Sequence, residues 1–215
     1  GLLWCYGYNH DEAVRCFRKA AKHDPNCAMA QWGIAYAAAP NYNKQWVAFD
    51  PVDLKNSLSL ACSATKQAMK LLDQASPVEQ ALIRPLAKRY PLNEPGHVTP
   101  VWNDDYAAAM REVYNAHKDD LDVTALFAEA IMNRTPWLLW DIKSGKPAEG
   151  ADTAEAIAVL ERAMALPHGM KHPGILHMYL HLMEMSPYPE RALRAGEALR
   201  NLVPDAGHLV HMPTH

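Results

Sequence analysis

The stretch Asp11–Pro25, "DEAVRCFRKAAKHDP", decides the fold class. Ala13, Phe17 and Ala20 recur at helical spacing on one face, charged residues fill the rest, and Pro25 stops the run. The same design returns twice. "TAEAIAVLERAMALP" (153–167) places Ala156, Leu160 and Ala163 on one face before Pro167, and "PERALRAGEALRNLVP" (189–204) does so with Ala192, Gly196 and Leu199 before Pro204. Strand-like alternation is scarce along the whole chain. Small residues on such a face allow close helix packing, and the prolines end each unit.

This small–aromatic–small–proline spacing resembles the second helix of a tetratricopeptide repeat (TPR), with Gly1 and Trp4 as the small and aromatic positions of the preceding helix. The expected fold is all-α: an irregular TPR-like α-solenoid of antiparallel helix pairs forming a single array over 1–215. Clear repeats fall at about 1–40 and 152–215, with degenerate helical pairs at about 52–134. A non-repetitive helical bundle is the alternative. Within the degenerate region, 52–74 and 76–89 read as helices around Ser76-Pro77, and 102–117 and 121–134 as another pair. "NEPGHVTPVWNDD" (93–105) reads as a Pro/Gly-rich connection, and "DIKSGKPAEGAD" (141–152) as a polar loop ending at Asp152, an expected N-cap. On the 34-residue template both ends look like cuts through a longer array, whose terminal repeats would need capping.

Composition narrows the function classes. The 215 residues are 49% hydrophobic, enough for a sizeable core or several stacked repeats. A net charge of −3 with mixed signs gives no electrostatic footprint for nucleic acid or an anionic membrane. No run of about 18 apolar residues reads as a membrane span, and no signal peptide is visible. Cys5, Cys16, Cys27 and Cys62 form no C-x-x-C pair; they read as helix thiols, or as a disulfide in an oxidising compartment. The compartment stays open.

Eleven histidines are the unusual feature. "HPGILHMYLHLMEMS" (172–186) and "GHLVHMPTH" (207–215) carry the same H-M-x-x-H pattern one 34-residue period apart: His177 matches His211, Met178 matches Met212 and His181 matches His215. His177 and His181 are i, i+4 and share a helix face. His208, His211 and His215 share another, although Pro213 threatens its last turn. Glu184 lies on the His177/His181 stripe. Neighbouring first helices of a repeat array lie about 8–10 Å apart, so these residues converge on the inner groove. Neutral imidazole is the commonest metal ligand, and an i, i+4 pair can place two nitrogens on one ion.

The expected metal set is therefore His177, His181, His211 and His215, with His208 and Glu184 beside them; His172, in the loop before Pro173, is an alternative outer ligand outside that set. The cofactor is a transition metal ion, Cu or Zn first and Fe next. Glu184 would ligate, orient a histidine or act as a base. Met178 and Met212 lie about 100° round the helix and are expected in the core. The competing readings are a pH-sensitive or ligand-binding histidine groove and plain packing. His10, His23, His97 and His117 take no role, and Trp137 and Trp140 read mainly as core anchors.

Residues 136–215 and 11–43 also resemble a family of large, mostly uncharacterised TPR-domain proteins with a His-rich segment. The matching residues are His177, His181 and Glu184 on one helix, then His208, His211, Met212 and His215 in "GHLVHMPTH". That resemblance implies a TPR fold and marks the histidine segment as a family feature, with no activity attached. A metal-binding TPR protein, with chemistry at an open coordination position, is thus the first expectation. A non-enzymatic scaffold follows, binding a peptide or protein in its concave groove or self-assembling into a homo-oligomer or fibre.

Overall fold

A computed structural model describes residues 1–94 and 100–215. Part of the Pro/Gly-rich connection, including His97, lies outside the described residues. The protein is mostly helical, 67% helix and 3% strand, and it divides into two compact units, Gly1–Val113 and Tyr114–His215.

The first unit opens with α1 (Leu2–Tyr6), α2 (His10–His23) and α3 (Ala28–Ala37). The Asn9 side chain accepts from Glu12 N at 3.3 Å at the start of α2, Asp11 and Glu12 occupy its first turn, and Lys22 and His23 its last. Those charges complement the helix dipole. The Phe17 ring lies against Gly33 so closely that a Cβ there would stand 2.3 Å from Phe17 Cε1. A bare backbone lets α2 and α3 approach. Next come α4 (Pro51–Lys70), α5 (Pro77–Ile83), α6 (Leu86–Arg89) and α7 (Val101–Ala116).

Two sequence expectations are refined here. The helix expected to reach residue 74 ends at Lys70, and Leu72–Gln74 forms a 3-10 turn. The segment 76–89 is two short helices, because Pro85 has no N–H with which to continue α5.

The core of this unit gathers Trp32, Tyr36, Leu58, Ile83 and Leu86. Arg89 is buried among aromatic rings, 4.8 Å from the centroids of Tyr36 and Tyr106, and donates from Nη2 to Pro40 O at 2.6 Å. His10, given no role by the sequence, faces Ala37 O with Nδ1 at 2.9 Å. It ties the start of α2 to the end of α3. Burial, then the Arg89 charge, lower its pKa to about 4.

The second unit contains α8 (Leu121–Met132), α9 (Thr153–Ala165), α10 (Pro173–Met183), α11 (Leu193–Leu199) and α12 (Gly207–His211), which runs into a 3-10 turn at Met212–Thr214. α8, α9 and α10 each pack on the other two, α11 packs on α10, and the 3-10 turn packs on α11 and α10. Every residue of α10 from Gly174 to Met183 is buried, so it is the central rod of the unit. Gly169 lets the chain pass close to the end of α9: a Cβ there would stand 1.9 Å from Ala163 O.

The segment expected as a plain polar loop instead begins with a small antiparallel hairpin, β1 (Trp140–Asp141) with β2 (Lys146–Pro147). Trp140 anchors it, donating from Nε1 to Leu182 O of α10 at 2.7 Å. Asp152 stands at the N-cap position of α9 but makes no capping hydrogen bond. Its carboxylate accepts from Arg134 Nη1 at 2.5 Å instead.

Candidate metal centre

α10 carries His177 and His181 into the interior of the second unit, with relative exposures of 0% and 2%. The helix starts there because His172 caps it and Pro173 fills its first position, a site where proline's missing N–H costs nothing. His172 is committed elsewhere. Its Nδ1 accepts from Ile175 N at 3.2 Å and its Nε2 lies 3.0 Å from Asp122 Oδ1. It stands outside the cluster as a cap and a tie to α8.

α12 is only five residues long, and Pro213 converts the following turn to 3-10. That geometry presents His208 to α10. Nε2 of His208 and Nε2 of His177 are 3.0 Å apart. The ring centroids of the three histidines form a triangle: His177–His181 4.7 Å, His177–His208 4.8 Å and His181–His208 5.7 Å. Each can offer one nitrogen to a common point, and those nitrogens lie within 4.8 Å of one another. Among the described residues, this is the group of three or more ligand-type side chains able to hold a metal ion.

His211 and His215 stand beside the triangle rather than within it. Their Nε2 atoms face each other at 2.8 Å, with centroids 6.4 Å from His208 and 6.2 Å from His181 respectively. Glu184, the residue that ends α10, joins the two sets. Its Oε1 accepts from His181 Nδ1 at 2.9 Å, and its Oε2 accepts from His215 Nδ1. A carboxylate on Nδ1 fixes the tautomer, so Nε2 carries the ring's lone pair, and it raises the basicity of that nitrogen. Met178 and Met212, at 3% and 0% exposure, are in the core.

Electrostatics favour a neutral His208 beside an ionised Glu184. Burial, followed by the nearby charges of His181, His211 and His215, lowers the His208 pKa to about 4. Burial alone would raise that of Glu184, but the hydrogen bonds and charges of His181 and His215 outweigh it and hold the carboxyl below its usual range.

Trp137, read from the sequence mainly as a core anchor, is exposed instead. Its ring stands edge-on to His181, centroids 5.8 Å apart, and its φ of +63° is a left-handed conformation that a bulky residue rarely adopts. No sequence signal marks that backbone. Three residues on, Trp140 reaches Leu182 O of α10.

The fold and the site together define an all-α protein with a buried three-histidine cluster able to hold a metal ion. Comparison with protein-family models, curated proteins and solved structures finds no match to the chain.

Proposed function

We propose that the chain is a metal-binding protein of TPR-like helix pairs, in which His177, His181 and His208 hold one transition-metal ion. The observation that carries this reading is the convergence of three imidazoles from two helices, two of them wholly inside the unit. Plain packing accounts poorly for it, because His177 and His181 put polar rings where burial is deepest and half-buried His208 closes on them. In support of the repeat architecture, α8 to α11 succeed one another as neighbours, and the H-M-x-x-H pattern recurs at one TPR period with both methionines buried.

Imidazole nitrogens suit Zn or Cu first. With both methionine sulfurs in the core, nothing favours thioether ligation. Three histidines leave a coordination position open, as catalytic rather than structural zinc sites do, and Trp137 would wall that position. Titration of the untagged protein with Zn(II), against a chromophoric chelator, tests the reading. His208→Ala, at the least buried ligand, is expected to weaken affinity at least 10-fold with an unchanged circular dichroism spectrum. A folded protein that takes up neither Zn(II) nor Cu(II) would sink it.

A further inference from the structure

The pair His211/His215 carries a geometry that the three-histidine site does not use. His215 gives its Nδ1 proton to Glu184 Oε2, so its Nε2 bears the lone pair. His211 Nδ1 lies 3.4 Å from Thr214 Oγ1, and that hydroxyl has already committed its own hydrogen to His211 O at 2.7 Å. That hydroxyl can accept from His211 Nδ1–H, and in that tautomer His211 Nε2 also bears a lone pair. In that tautomer two lone pairs face each other across 2.8 Å; in the other, His211 Nε2–H donates to His215 Nε2. The first of these contacts is repulsive unless a proton or a cation is shared between the nitrogens.

We propose that His211 Nε2 and His215 Nε2 hold a second divalent transition-metal ion, distinct from the one in the buried triangle and open to water on its remaining positions. It rests on the three-histidine reading only for the neighbouring ion. Glu184 is the link between the two positions: one oxygen orients His181 of the buried set and the other orients His215 of the outer set. Both outer histidines are exposed, so this ion exchanges readily, whereas the buried one is retained. Two ligands also bind more weakly than three, and the outer ion leaves first under a competing chelator.

Equilibrium dialysis of the untagged chain against buffered free Zn(II), with metal content measured per protein, separates the readings. The expected result is two zinc per chain at high free Zn(II), falling to one in His211→Ala/His215→Ala and to one in His177→Ala/His208→Ala. His215→Gln, at an exposed position, is the second variant should the double one misfold, and it too should lose the weaker equivalent. One zinc that survives His211→Ala/His215→Ala overturns the second position and leaves the buried site standing. One zinc lost in either double variant means a single shared site and also overturns it. No zinc at all overturns both readings.

Discussion

Glu184 concentrates the chemistry of the site in one side chain. As a carboxylate on His181 Nδ1, it fixes which nitrogen faces the cluster. Glu184→Gln keeps the volume but loses the charge, and its amide can present an N–H where an acceptor is needed. Competition titration should show Zn(II) affinity weakened about 10- to 100-fold. A second carboxyl, Glu129 in α8, makes a stability prediction of opposite character. Burial raises its pKa to about 8, against a smaller lowering by the Asn133 hydrogen bond. The folded protein thus keeps that proton up to about pH 8, while the unfolded chain releases it near the ordinary glutamate value of 4.5. The unfolded state binds fewer protons across that window, so stability falls as pH rises through it. Glu129→Gln should remove this slope, on the order of a few kcal/mol between its ends, as denaturant unfolding at several pH values would show. His177 and His181 stood out at this scale because their pattern recurs at a fixed period, whereas His208 has Gly174 at the equivalent position and lies outside the match. The roles of Trp137 and His10 were not legible, since one depends on a left-handed backbone and the other on a carbonyl 27 residues away.

At the scale of the element, α10 is the part on which the site depends, and its surroundings hold it in place. Helix positions were readable from periodicity and proline stops, and Asn9, Asp120 and Ser76 cap the helices that follow them. The choice of His208 over His211 as the partner of His177 was not readable. His211 lies in α12 with its ring 6.4 Å from that of His208, and its Nε2 faces His215 rather than the triangle. The hairpin was also hidden, because β1 and β2 are two residues each and depend on Trp140 reaching Leu182 O. Gly169 offers the sharpest test of this packing. Gly169→Ala drives a Cβ into the Ala163 carbonyl, a backbone group that cannot rotate away. The expected loss is about 1–3 kcal/mol or more by chemical denaturation. Gly33→Ala meets the movable Phe17 ring and should cost less.

Taken as a whole molecule, the all-α class was legible from three proline-ended amphipathic runs, and the helical content of the structure agrees with it. The grouping into Gly1–Val113 and Tyr114–His215 was not, because no Pro/Gly-rich linker marks residue 113. A metal that binds only the folded state must stabilise it by mass action. Zn(II) at 100 times its dissociation constant should add about 2.7 kcal/mol. That gain should appear as a raised melting temperature in wild-type protein and be largely absent from His177→Ala/His208→Ala. The most direct test of the central claim is zinc-edge X-ray absorption of the untagged protein loaded with one equivalent of Zn(II). The expected spectrum shows imidazole nitrogens at about 2.0–2.1 Å, three per zinc, falling in number with His208→Ala. A spectrum without imidazole scattering, or a folded protein that retains no zinc to measure, would contradict it.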